Sequence, residues 1–509
     1  MSTLTALARA QAVDRGIAQP ICTVRHVHLS DRPLVLVPLA LAGEANAPLA
    51  AMVGDEPRSP RLLVVMQPRN RSERFDFAAA LAATVVGYID GFCSAAETVP
   101  GGSGREPRER FADAPQILVP NPAGISFLRL LGRSTRFRRS SGEYAVEPAV
   151  PVLGRWLTYF AERTEHPGSC LLLAATDMLA LHWATGQSAV EDRNLAAVLG
   201  WIEPPPGMTG ADAAVAAEDP LTWPPAGPAT DPTFDNEVLA PLIAAYSRSA
   251  EGTQARQRAE SELRRALAVQ LAPTWQLMWR TVELLRALPP GGRVGARWDA
   301  DKDGFTAYAA YLRDGGPPQP RRDPAVTAAR RLSWLERAQA TYSAQRAFDD
   351  PLVMAEYRLT GEAFAGTVVA AEPGRVDSSG RRRKLRPLIT VTTEDPLRVE
   401  AGAMLVSPAR PAQKALVISV SAPASSLAAA DAPSSRFEVV LELAGGMGRA
   451  LTPEPGSVPA IGEFLCWTTL TESYQPPGSF PAREDTPWTH GGPPPEYVPT
   501  DEDASEVWS

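Results

Sequence analysis

Close to residue 350 the spacing of apolar residues switches from helical to alternating, so the chain cannot be one uniform fold. On the near side, Asp323-Pro324 is the favoured cap and first-turn pair for a helix reaching about Phe348. Val326, Ala329, Leu332, Leu335, Ala338 and Tyr342 recur every three or four residues and form one stripe, with Arg330, Arg331, Arg337 and Arg346 distributed around it. On the far side, from about Tyr357 to Leu470, short β runs are separated by turn residues: Ala365 to Ala370, Leu388 to Thr393, Ala415 to Val420, Phe437 to Leu443 and Phe464 to Leu470. Five or more strands in so short a span predict a small β-barrel over 357–470.

Upstream, residues 1–203 alternate β-rich runs (Pro33 to Leu41, Arg61 to Met66, Gln116 to Val119) with apolar stretches of helical length, the pattern of an α/β domain. Two buried helices are expected there, Phe77 to Ile89 capped by Asp76, and about Leu171 to Trp183. Between them, Pro100 to Pro115 reads as a surface loop. Residues 204–234 hold eight prolines, a density that disfavours regular helix and predicts the main linker. A helical region with a long stalk-like helix follows over 235–350, in which Pro273 is expected to open a new helix and Pro289-Pro290-Gly291-Gly292 to end it. The tail, 475–509, is proline-rich and ends in Glu496, Asp501, Glu502, Asp503 and Glu506; it lacks the apolar area to order itself and is expected to be disordered and acidic. The fold class expected is therefore a multidomain α+β chain.

The long basic helix leads into Gly361-Glu-Ala-Phe-Ala-Gly366-Thr-Val-Val, then Arg386-Pro-Leu-Ile-Thr-Val-Thr-Thr-Glu-Asp-Pro and Gly402-Ala-Met-Leu-Val. This arrangement, over about 323–470, resembles the stalk and accessory β-barrel of up-frameshift-type superfamily 1 helicases. In that family the barrel lies beside the nucleic-acid channel and precedes the motor domains. Here no motor follows, so the resemblance implies an accessory chain whose ATPase is a separate polypeptide.

The lysine count supports that exclusion. Of 50 basic residues only Lys302, Lys384 and Lys414 are lysines. None follows a glycine, which removes the P-loop, whose ammonium must reach the outer phosphates. The residues three positions before them are Asp299, Arg381 and Pro411, which removes a Ser-x-x-Lys acyl-transfer site. No lysine precedes residue 302, which disfavours a D…E-x-K nuclease in the N-terminal domain. Cys22, Cys93, Cys170 and Cys466 are widely spaced and read as reduced cytoplasmic thiols. The run Leu34 to Ala42 is not read as a signal peptide, because its leader is long and contains Asp14 and Asp31. No apolar stretch is expected to reach the ~20 residues that span a bilayer, so no membrane partner is expected.

Asp299-Ala-Asp301-Lys-Asp303-Gly304 matches the first half of an EF-hand loop, but Ala310 stands where the bidentate glutamate belongs. An acidic surface turn is the reading, with Asp299, Asp301 and Asp303 as weak metal candidates. Cys22, His26 and His28 would share one face of a strand, three ligands without a fourth. Asp177 and His182 are read as buried polar groups with structural partners. No G-x-S-x-G elbow and no complete dinucleotide loop is present, and no cofactor is expected.

Two basic clusters carry the functional expectation. Arg129, Arg133, Arg136, Arg138 and Arg139 are interleaved with Phe127 and Phe137; Arg381, Arg382, Arg383, Lys384 and Arg386 lie in an expected loop between barrel strands. Guanidinium forks match phosphate oxygens, and neighbouring aromatic rings can stack on unpaired bases. The net charge of −8 does not oppose this, since counterion release depends on local phosphate contacts. The first reading is a non-catalytic nucleic-acid-handling accessory protein acting with a separate P-loop NTPase or helicase. The alternatives are a hydrolase or nuclease-like enzyme using Asp76, Asp90 or Asp177, and a protein-binding scaffold presenting helices 235–350.

Overall fold

Leu34–Ala40 (β1) is buried along its whole length, as a central strand covered on both faces must be. In the computed structural model, which describes residues 2–43, 47–101, 106–220, 222–224, 230–380, 382–421, 436–473 and 498, this strand is the middle of a five-stranded sheet. Pro48–Gly54 (β2) and Arg61–Val64 (β3) continue it antiparallel on one side. Arg71–Phe92 (α1) then crosses to the other side. Ala96–Val99 (β4) and Arg108–Phe111 (β5) pair antiparallel beside the sheet, where a surface loop was expected. Ile117–Val119 (β6) adds parallel to β1; Pro122–Thr135 (α2) and Ala149–Arg163 (α3) lead to Leu172–Ala174 (β7), parallel to β6. The sheet order is β3-β2-β1-β6-β7, the α/β arrangement expected of this region.

Helix α1 starts at Asn70, whose side chain accepts from the Ser72 N–H at 2.9 Å, so Asp76 lies inside the helix and not at its cap. By length and composition α1 is the one described helix apolar enough to cross a membrane, longer than the sequence reading allowed. Its Phe77, Leu81, Val85 and Ile89 are buried in the core of the sheet. The expected helix from Leu171 is in fact β7 followed by the short helix Ala175–His182 (α4), because the first residues complete the parallel sheet.

The separation of an N-terminal domain from a helical domain by a linker is corrected. The chain divides into compact units at Leu335/Glu336, and a single core joins Leu36, Leu81 and Phe160 to Leu267, Met278 and Phe305. Within 204–234, Gly210–Ala216 (α5) is a helix with a capping box between Thr209 and Asp212, and Ala217 and Trp223 pack with Ala197 and Leu277. The prolines interrupt helix without detaching the segment. Gln254–Arg286 (α6) runs through Pro273 without a break. An interior proline costs about 3 kcal/mol; here Leu263, Leu267 and Leu271 before it and Met278, Val282 and Leu285 after it are all buried, and that continuous apolar face outweighs the cost.

Val294–Arg313 (α7) contains the whole Asp299–Gly304 string, so the expected turn is helix. Asp301 is 1% exposed; it accepts from Arg163 and Ser169 at 2.7 Å and from the Cys170 N–H at 2.6 Å. Asp299 and Asp303, one turn apart, meet Arg110 of β5 at 2.7 and 3.4 Å. Asp299 and Asp303 thus hold the helix to the β4–β5 pair, and Asp301 holds it to the end of α3 and the segment before β7. The helix Ala325–Asp349 (α8) matches the expected stalk in extent, but its stripe is not uniformly covered, since Val326 is buried and Leu332 is 59% exposed.

In the second unit, Pro351–Thr360 (α9) precedes a closed barrel. Its strands are Ala363–Glu372 (β8), Leu388–Thr393 (β9), Met404–Ser407 (β10), Arg410–Ser421 (β11), Phe437–Ala444 (β12) and Phe464–Thr468 (β13), closed in the order β8-β9-β12-β11-β10-β13. Alternate residues such as Ile389, Val391, Val417, Val439, Leu441 and Trp467 fill the interior, as strand alternation requires of a small barrel. The protein is a multidomain α+β chain with a C-terminal barrel. The acidic tail lies outside the described residues apart from Val498.

Candidate functional site

Helices α2 and α3 cross at glycines, and that close approach builds the main concavity of interest. A Cβ on Gly132 would stand 2.9 Å from the Thr158 nitrogen, and one on Gly154 would collide with the Arg136 backbone. Only glycine permits this spacing. The helices run antiparallel there: the C-terminal end of α2 meets the first half of α3 at Gly154, and Arg129, halfway along α2, meets Glu165 just past the end of α3.

The resulting cavity has a volume of about 260 Å³. Arg129, Arg133 and Arg136 line it from α2 and its C-terminal cap, and Arg321, Arg322 and Arg331 from the α7–α8 connection and the first turns of α8. Glu162, Glu165 and Asp323 are the carboxylates in the wall. Six arginines against three carboxylates leave a formal charge of +3 in a chain whose total is −8.

Individual arginines divide by role. Arg136 is 3% exposed; its Nε donates to the Gln319 carbonyl at 3.0 Å, and its guanidinium lies 4.5 Å from the Phe137 ring centroid. It ties the 319–323 segment to α2. Arg331 pairs with Glu165 at 2.9 Å and Arg129 with the same glutamate at 3.3 Å. Arg133 and Arg322 are exposed, and neither has an ion-pair partner among the described residues. These two are the guanidiniums most available to an incoming anion. Burial pushes the Glu162 carboxyl above the usual carboxylate range; Arg331 and Arg136 pull it down, Asp323 and Glu165 push it further up.

Part of the sequence expectation for this segment is corrected. Arg138 is 4% exposed, donates to the Ser134 carbonyl at 3.0 Å and lies over Phe75, so it is a structural group. Arg136 likewise serves mainly inside the fold, while Arg139 is exposed. Phe127 and Phe137 are both 5% exposed, which denies them to a base. Arg321, Arg322 and Arg331 were not singled out as binding residues, because nothing in one sequence signals the convergence of segments almost 200 positions apart. At the margin of the same region, Trp334 packs against His166 in a tilted ring contact with centroids 4.4 Å apart, and is 45% exposed. Burial lowers the His166 pKa to about 4, so its ring is neutral at pH 7.

The barrel cluster is built differently. Val376–Asp377 and Lys384–Leu385 pair antiparallel in a small ribbon. Arg386 is held at its base with Arg375, which pairs with Glu442 at 2.6 Å. Arg382, Arg383 and Lys384 are exposed, with no ion-pair partner among the described residues; Arg381 lies outside the described residues.

A larger cavity of about 440 Å³ lies at the N-terminal edge of β1 and next to α1, lined by Asp31, Asp55 and Asp113 with Tyr88 and Arg32. Its acidity makes it a poor phosphate site. Asp76, Asp90 and Asp177 line neither of these two cavities. The His182 ring is fixed by Met178 and His26: Nδ1 lies 2.6 Å from the Met178 carbonyl and Nε2 accepts from the His26 backbone N–H at 3.0 Å. Cys22, His26 and His28 do not form a strand face. The segment makes one isolated bridge at Arg25, the Cys22 thiol donates to the Leu181 carbonyl, and His28 stacks on Trp298 at 4.0 Å.

No family model, no curated protein and no solved structure matches this chain.

Proposed function

We propose that this chain is a non-catalytic accessory protein that handles nucleic acid, with the arginine-lined cavity of the first unit as its principal phosphate site and the barrel ribbon as a second contact. The observation that carries the reading is the convergence of six arginines from separated segments on one concavity. Guanidinium forks give bidentate contacts to phosphate oxygens, and Arg133 and Arg322 stand ready to make them. The ribbon adds Arg382, Arg383 and Lys384 on a rigid base. The long helix leading to a closed barrel supports the further reading that the partner is a separate helicase or other P-loop NTPase. The four cysteines form no disulfide, which accords with a cytoplasmic setting.

The test is binding of fluorescent single-stranded and duplex oligonucleotides by anisotropy over a range of salt. For single strands log K should fall linearly with log salt with a slope of about −0.7 per phosphate contact. Replacing Arg133 and Arg322 together by glutamine should flatten that slope by about 1.4. No binding at low salt removes the reading. Affinity purification that recovers an ATPase would support the accessory role, and a preparation that itself hydrolyses ATP would end it.

A further inference from the structure

The cavity is small, doubly walled and more positive than one backbone phosphate requires. A phosphodiester carries a single charge, whereas a phosphomonoester carries about −1.5 to −2 at pH 7 and presents three strong acceptor oxygens. A concavity with a surplus of three guanidiniums complements the monoester better. Its volume of about 260 Å³ falls below the range of about 300–1,000 Å³ that encloses drug-sized ligands, and it suits a phosphoryl group with its sugar. Neither Phe127 nor Phe137 is open to a base, so the cavity itself reads charge and not sequence.

An exposed aromatic surface close to these lining residues along the chain is Trp334. It lies three residues beyond Arg331 on α8, and residues at that spacing share a helix face with Cβ atoms about 5–6 Å apart. From the other side, His166, whose ring Trp334 contacts at a tilt, follows Glu165, the partner of Arg331. The half-exposed indole therefore sits next to the cavity, one helical turn from Arg331 in its wall. That offset is the one a nucleotide needs between its phosphate and its own base.

Resting on the proposed function, we infer that the cavity captures the terminal phosphate of a single strand, with the end nucleotide's base stacked on Trp334. The protein would then distinguish a phosphorylated strand end from a hydroxyl end. Arg133 and Arg322 supply contacts to the terminal oxygens, and Arg136 positions the 319–323 segment that carries Arg321 and Arg322.

The experiment uses the full chain and a short oligonucleotide of one sequence in three forms: 5′-phosphate, 3′-phosphate and hydroxyl at both ends. One phosphorylated form should bind at least tenfold more tightly than the hydroxyl form, and inorganic phosphate should compete for that difference. Arg133→Gln with Arg322→Gln should erase the preference while leaving weak binding of the hydroxyl form. Trp334→Ala should weaken the phosphorylated form about fivefold or more, consistent with loss of one stacked base, and leave inhibition by inorganic phosphate unchanged; Trp334→Phe should restore most of the affinity. Circular dichroism of each variant separates these effects from unfolding. Equal affinity for phosphorylated and hydroxyl ends, in a protein that binds both, overturns the end-capture inference and leaves the proposed function standing. Absence of all nucleic-acid binding overturns both. Tighter binding of a phosphoserine peptide than of the phosphorylated strand also overturns the inference.

Discussion

The two arginine-rich stretches are alike as text and opposite as structure. Both pack five basic residues into a short span. In the first unit the stretch is folded into the helix crossing, so that Arg136 and Arg138 are buried and bonded to carbonyls, and only part of the cluster faces an anion. In the barrel unit Lys384 lies on a two-stranded ribbon with Arg382 and Arg383 just before it, and all three are exposed. Local charge density therefore says little about binding. The folded concavity recruits Arg321, Arg322 and Arg331 from elsewhere in the chain and sets them in one enclosed wall, which the run on the ribbon does not.

That contrast can be broken most forcefully through stability. Arg136→Ala should cost about 2–3 kcal/mol, because a charged donor's bonds to carbonyls are worth about 1.5–3 kcal/mol and its ring contact is lost too. Arg382→Ala and Arg383→Ala should each stay within about 0.5 kcal/mol, as surface changes do. Urea denaturation of the three variants gives the comparison, and equal stabilities would mean that Arg136 does not anchor the 319–323 segment. Close behind comes Gly154→Val. The added side chain meets the Arg136 backbone, and overpacking of this kind costs about 1–3 kcal/mol. Thermal melts should show the loss, and the phosphate affinity of whatever remains folded should fall as the helices part.

A smaller effect concerns charge within the cavity. Glu162→Gln removes one of three carboxylates, worth about 1 kcal/mol for a nearby charge in water, so a phosphodiester strand should bind roughly fivefold more tightly at neutral pH. The sign of the pH dependence follows from its raised pKa. As pH falls through that value the carboxyl takes up a proton, its burial no longer opposes folding, and the cavity gains positive charge. Both stability and strand affinity should rise over that window in the parent and stay flat in Glu162→Gln. An identical rise in the variant would mean that Glu162 is not the group responsible.

Strands were the most legible part of the sequence. Leu388 to Thr393 was bounded correctly because alternation and flanking Pro387 and Asp395 punctuate it. The β10 strand, Met404–Ser407, is too short to announce itself, although it closes the barrel. Prolines misled twice, at Pro273 and across 204–234, since a one-residue penalty is visible locally whereas the apolar contacts that override it come from distant segments. The Asp299–Asp303 string misled for a related reason: it reads as an acidic surface turn, and only Arg110 and Arg163 opposite its carboxylates show why it is a packed helix. For the site, the 129–139 cluster was legible and its partners were not. Gly132 and Gly154 carry no mark that they meet, and without that meeting neither Arg321 nor Arg331 belongs to the same place.

The most direct trial of the account compares two double variants in one assay, the affinity of the full chain for a 5′- or 3′-phosphorylated single strand at fixed low salt. Arg133→Gln with Arg322→Gln should lose most of the binding, while Arg382→Gln with Arg383→Gln should lose severalfold at most. If the barrel variant abolishes binding and the cavity variant binds as the parent does, the arginine-lined cavity is not the phosphate site.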